Sequence, residues 1–256
     1  MKTFVTMTIV LSVSCGLAYA GSFATEVVDY TPGANANASY DDPTTALGEP
    51  TRTTGSGEWL GDVSPFNPAY MTDQIVSIGA SGSLDLKMGV RAHDNPLDND
   101  WGIDLLIFTN SFYAMQGDGT VGGLFGITPK VQVSQNGADW FEADVVSTFP
   151  TMGFSDTVEF GGGTDPTDFT WPVDPSFSPV GKTLAELQEG YDGSGGGVGV
   201  DIASTGLEWV EYIRIYQDAG DESALAVDAV SVVPEPTTIA MLLMAGTGLS
   251  LRKRRS

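Results

Sequence analysis

Cysteine and histidine are almost missing from this sequence: Cys15 and His93 are the only ones in 256 residues. A single thiol excludes an intrachain disulfide, and a single imidazole leaves a zinc centre without its usual ligands. The one imidazole, His93, sits in an Asp-rich loop and follows no recognisable nucleophile motif. No G-x-S-x-G elbow occurs, and Gly161-Gly162-Gly163 fits neither phosphate-loop pattern. Cations are scarce as well. Residues 21–232 carry six Lys/Arg against 32 Asp/Glu, a net of −26. A surface so charged repels nucleic acid and anionic lipid, attracts cations and keeps a protein soluble. Long apolar runs occur only near the two ends, and no repeat of 20 to 50 residues is present.

What is there begins with those ends. Met1 to Ala20 has one cation, Lys2, then an apolar stretch from Phe4 to Leu17, then Ala18-Tyr19-Ala20. This is the small-x-small pattern of a signal peptidase site, so the mature chain is expected to begin at Gly21. Cys15 is not read as a lipid anchor, because Ser12 stands where a lipoprotein signal has Leu. Cleavage after Ala20 removes the one thiol, so stability in an oxidising compartment has to come from a core or from bound ions.

At the other end, residues 233–256 read VPEPTTIAMLLMAGTGLSLRKRRS. Pro234, Glu235 and Pro236 form an extended linker that continues neither strand nor helix. The run from Ile239 to Leu251 can then be a helix. From Thr237 to Leu251 it rises roughly 22 Å, short of the ~30 Å hydrocarbon core, which makes it a marginal single transmembrane helix. Arg252, Lys253, Arg254 and Arg255 follow at once and hold that end on the cytoplasmic side, with the large domain outside.

Between the ends, residues 21–232 are long enough for one sizeable core. The pattern is all-β: candidate strands are Glu26–Tyr30, Gln74–Ile78, Ser83–Met88, Ile103–Phe108, Lys130–Ser134, Trp140–Val146, Thr157–Phe160, Tyr212–Gln217 and Leu225–Val232. Leu84, Leu86 and Met88 alternate as a half-buried strand does, and Ile103–Phe108 is apolar throughout after Asp104, as a central strand is. Asn136-Gly137 supplies a left-handed turn between two β-rich runs. One short helix is expected where Thr183 and Glu186 make a capping box and Gly190 ends the run. A single helix among many strands points to a β-sandwich of jelly-roll type.

The order V-P-E-P, short apolar helix and Arg-rich end resembles the PEP-CTERM sorting tails of Gram-negative bacteria. That resemblance implies recognition by an exosortase, a membrane protease-transpeptidase that removes the tail on the way to the cell surface or extracellular matrix. Segments of the domain, VVDYTPG (Val27–Gly33), DDPTTALGEPTR (Asp41–Arg52), VSPFNPAYMTDQIVSIGASGSLDLKM (Val63–Met88) and WGIDLLIFTNSFY (Trp101–Tyr113), look like recurring PEP-CTERM extracellular proteins, as do KVQVSQNGADWFE, VEYIRIYQDAG and ALAVDAV. The resemblance implies a secreted jelly-roll-like domain and carries no activity with it.

Three features remain as candidate chemistry. Asp94, Asn95, Asp98 and Asp100 form a run of hard oxygen donors between two strands, the ligand type calcium needs, and Asp104 and Asp228 are candidates to complete such a site or to bridge buried backbone groups. Trp59, Trp101 and Trp171 lie beside turn-rich stretches and are candidate sugar-stacking residues, whereas Trp140 and Trp209 read as core. Gly196–Asp201 matches the core of a calcium-binding β-roll repeat; one copy cannot build a roll, and it is read as a flexible loop. The expectation is therefore a non-enzymatic surface or matrix protein. A calcium-dependent carbohydrate-binding module acting on extracellular polysaccharide is the alternative. A hydrolase, which needs only two carboxylates about 5–10 Å apart, is a distant third. The partners implied are signal peptidase, exosortase and the membrane through the C-terminal helix, with no nucleic acid.

Overall fold

The computed structural model describes residues 21–55, 61–94, 101–157 and 162–234. Ten strands build two five-stranded antiparallel sheets. The front sheet runs, in spatial order, β1 (Ala24–Thr31), β5 (Ser83–His93), β13 (Trp209–Tyr216), β9 (Lys130–Ser134) and β10 (Phe141–Glu142). The back sheet runs β11 (Asp144–Phe149), β12 (Gly197–Asp201), β6 (Leu105–Thr109), β14 (Leu225–Val232) and β4 (Val76–Ile78). Two small ribbons pair β2 (Thr53–Thr54) with β3 (Gly61–Asp62) and β7 (Phe112–Met115) with β8 (Val121–Phe125). The one α-helix among the described residues is α1 (Leu184–Tyr191).

Alternation along the front strands sends Leu84, Leu86, Val131, Val133, Ile213 and Ile215 to one side, where they meet Ile78, Leu105, Ile107, Val198, Val200 and Val227 of the back sheet in a single core. Each such side chain, removed fully from water, contributes about 1.5–3 kcal/mol. The back sheet, apart from its edge strand β11, is buried on its other face too. Leu106 and Phe108 of β6 point outward against Phe169, Ala229 and Val233, and the Phe108 and Phe169 rings meet edge to face at 5.2 Å. This second layer comes from the long excursion between β11 and β12. Arg52 pins it, donating to Gly153 O (2.6 Å) and Thr167 O (3.1 Å) while its guanidinium lies 4.1 Å above the Phe169 ring. Helix α1 closes the layer, burying Leu187 and Tyr191 beside Phe149 and Met152.

Several expectations are corrected by this packing. Gly196–Asp201 is no flexible loop: from Gly197 it is β12, paired on both sides. Val198 and Val200 enter the core, and the glycines serve the crowded outer face, where a Cβ on Gly199 would stand 2.5 Å from Ser147 Oγ and 2.9 Å from Ile103 Cδ1. Gly190 does not end α1, which continues through Tyr191 to a left-handed Asp192. It is small because the Phe177 ring packs there, 2.1 Å from where a Cβ would sit. The run Trp140–Val146 is two strands in different sheets, with Ala143 between them. Its turn has only Gly137 left-handed (φ 72°), and the Asn136 side chain replaces the second left-handed residue by accepting from Ala138 N–H and Asp139 N–H at 2.9 Å each. The expected strand Thr157–Phe160 lies, after Thr157, outside the described residues.

The two ends of the fold meet. Val232 N–H donates to Ser22 O at 2.7 Å, and Phe23 bridges to Ser231. Gly89 N–H donates to Phe23 O, so the C-terminal ends of β5 and β14 lie at one end of the molecule, the tail end. The expected signal helix and transmembrane helix, residues 1–20 and 235–256, lie outside the described residues. Among the described residues no helix is long and apolar enough to cross a membrane.

Candidate functional site

The acidic residues grouped from sequence do not form one site. Asp94, which follows β5, donates its N–H to Glu208 O, while Asn95, Asp98 and Asp100 lie outside the described residues. Asp104 opens β6 at the tail end; its carboxylate accepts from Ile202 N–H at 2.9 Å and its carbonyl from Val233 N–H at 2.9 Å. Asp228 sits at the bulge of β14, where its two oxygens accept from Thr51 N–H and Thr51 Oγ1, both at 2.9 Å. Val233 faces Asp104, so Asp104 and Asp228 are separated by five residues of β14, roughly 16 Å at ~3.3 Å per residue. Both carboxylates fasten backbone. Among the described residues, no three His, Cys, Asp or Glu side chains converge as a metal site would require.

Asp228 is electrostatically unusual. It is 2% exposed and its oxygens meet only neutral donors from Thr51. Burial pushes its carboxyl up to about 7, against the opposing pull of the Thr51 hydrogen bonds.

The tryptophans sort differently from the sequence reading. Trp101 is half-buried against the outer layer of the back sheet, Trp171 is exposed, and Trp59 lies outside the described residues. Trp140 and Trp209, read as core, are instead half-exposed beneath cations: Arg214 lies 4.2 Å above Trp140 and Arg91 lies 3.7 Å above Trp209. Both stacks belong to the outer face of the front sheet. Val210 and Ile213 point into the core, so their strand neighbours Trp209, Tyr212 and Arg214 point out.

That outer face is the one ordered array of charge and aromatic rings among the described residues. Arg214 holds Asp85 with two parallel bonds, 2.7 Å from Nε and 2.6 Å from Nη2, and these hydrogen bonds raise the guanidinium further. Glu211 takes Lys87 at 3.3 Å and Arg91 at 3.6 Å, and Lys87 also lies 5.7 Å from the Tyr212 ring. Lys130 pairs with Asp218. Tyr216 donates to Glu142 at 3.0 Å, and burial together with that carboxylate pushes its phenol up to about 12. Four of the six Lys/Arg of residues 21–232 are gathered here. The array is legible as a pattern, since Lys87, Arg91, Tyr212, Arg214 and Tyr216 alternate with apolar residues along two strands, but its function class is not.

Beside this face, between the Asn136 turn and Leu207, lies a shallow depression of about 230 Å³ lined by Gln135, Asn136, Asp139, Phe141 and Leu207. Comparison of the chain with protein-family models and with curated proteins returned no match.

Proposed function

We propose that this chain is an exported, non-catalytic protein of the cell surface or extracellular matrix. It is delivered by its signal peptide, held at the inner membrane by its C-terminal helix, and processed by an exosortase at its PEP-CTERM tail. The observation that carries this reading is the placement of the fold between the two processing signals. Ser22, one residue past the expected start of the mature chain, is already buried and accepts from Val232 N–H, one residue before the tail begins at Val233. Cleavage at Ala20 and near Pro234–Pro236 therefore removes nothing from the core. The first and last described residues also lie at the same end of the molecule, so anchoring through both termini puts no pull across the fold.

The wrapping of the chain supports a jelly-roll-like sandwich. Among the ten strands of the two large sheets, the path changes sheet at every connection except β9 to β10 and β11 to β12. The intact mass of the protein recovered from the producing cells tests the proposal, with and without the exosortase. A chain that begins at Gly21 and ends between Pro234 and Pro236, and that keeps its tail when the exosortase is deleted, is the expected result. A mass that retains Arg252–Arg255 in otherwise normal cells overturns it.

A further inference from the structure

We propose that the outer face of the front sheet is a binding platform for a neutral polysaccharide. This rests on the matrix reading above and deepens it by naming a ligand class and a site. The face sets tryptophan, tyrosine and arginine side by side on a sheet, residues whose planar, amphipathic groups combine an apolar contact surface with polar edges. The rings and guanidinium planes are fixed before any ligand arrives, Arg214 by its two bonds to Asp85 and its stack on Trp140, Arg91 by Trp209 and Glu211. Little ordering entropy is then lost on binding. Hydrogen-bonding capacity remains, because Arg214 uses two of its five N–H groups on Asp85.

Charge decides the class of ligand. The domain carries −26, which repels polyanions, and on this face each cation already holds a carboxylate. A neutral polymer is neither repelled nor in need of a free counter-charge. Shape points the same way: the face is an open sheet surface rather than a cavity, which suits a chain of sugars lying across strands. Because Arg91 and Arg214 already lie on the Trp209 and Trp140 rings, sugar C–H faces pack on the outward guanidinium planes that these rings hold in place, and hydroxyls bond the guanidinium and carboxylate edges between them.

The test is affinity electrophoresis of the full chain, in detergent, through native gels containing a β-1,3-glucan, hydroxyethyl cellulose, a galactomannan or alginate. Retardation by at least one neutral polymer and by no alginate gel is expected. Trp209→Ala and Arg91→Ala are expected to weaken it at least tenfold, and Trp171→Ala, away from the face, to leave it unchanged. Arg91→Lys keeps the charge but loses the planar stack, so it weakens retardation several-fold with an unaltered melting temperature and guards against unfolding in the alanine variants. A calcium chelator has no effect. No retardation by any neutral polymer, retardation that survives both alanine variants, loss on chelation or with Trp171→Ala, or retardation by alginate each overturns the proposal. Mobility is read independently of processing, so the mass measurement and this one can fail separately.

Discussion

The two sheets use the same alternating pattern toward the core and finish their outer faces in opposite ways. Outside the back sheet, Leu106 and Phe108 are covered by a second apolar layer that the excursion after β11 supplies and Arg52 pins. Outside the front sheet, long side chains of β5 and β13, with the turn at residues 137–140 packed on Tyr212 and Arg214, cover the sheet in ion pairs and cation–ring stacks. The buried aspartates repeat the contrast. Asp228 in the back sheet meets only the neutral groups of Thr51, whereas Asp85 in the front sheet has the Arg214 guanidinium. One outer face is closed by a second apolar layer, and the other is finished with half-exposed charged and aromatic side chains.

The strongest way to break this comparison is to remove the cover. Phe169→Ala takes a fully buried ring from Phe108 and from beneath Arg52, and is expected to lower unfolding free energy by about 4–5 kcal/mol, the upper part of the range for such truncations. A urea midpoint that barely moves would mean that the outer layer is not part of the cooperative fold. Next comes the pH dependence of Asp228. Its folded carboxyl titrates near 7 and its unfolded one near 4, so its contribution is complete below about pH 4 and is lost as pH rises through about 7. The expected loss across that interval is roughly 4 kcal/mol. Asp228→Asn keeps an acceptor for Thr51 N–H and cannot ionise, so it should flatten this slope. An unchanged slope in the variant would assign the pH dependence to other groups.

How far the sequence can be read follows the same division only in part. Front strands that face water on one side carry the two-residue period, and β9 has the bounds expected, Lys130–Ser134; β14 in the back sheet also has the bounds expected, Leu225–Val232, because its length is rich in β-branched and apolar residues. The back sheet, buried on both sides, hides β12, because Gly197 and Gly199 look like loop residues until the crowding around Ser147 and Ile103 is known. The capping box of Thr183 and Glu186 is legible because it is local. Grouping Asp104 with Asp228 fails because shared acidity says nothing of register along β14. Trp140 and Trp209 mislead for a related reason: a tryptophan in a strand reads as core unless the partner strand is known to present an arginine above it.

A smaller effect sharpens the contrast between the two aspartates. Arg214→Ala leaves Asp85, 3% exposed, without its cation. Loss of one partner from a fully buried pair costs about 3–5 kcal/mol; here the Arg214 side chain is 29% exposed, water reaches the vacated space, and about 2 kcal/mol is expected. Guanidinium chloride would mask this charge effect, so urea unfolding at low salt is the measurement. A loss equal to that of Phe169→Ala would mean that the front face contributes to stability no less than the back.

The smallest effect lies where the front face is least enclosed. Tyr216→Phe removes a hydroxyl that donates to the exposed Glu142, while the ring stays where β13 places it. Glu142 keeps Gln132 Nε2 as a donor at 2.6 Å, and water replaces the lost phenol, so no polar group is stranded. The expected change in stability is below about 0.5 kcal/mol, the range of surface substitutions. The spectroscopic effect is larger: wild-type protein should show a phenol that resists ionisation to about pH 12, and the variant should lose that titration in the phenolate absorbance. If the variant instead unfolds at a clearly lower urea concentration, the hydroxyl is tying β13 to β10, and this face contributes to holding its own edge strand.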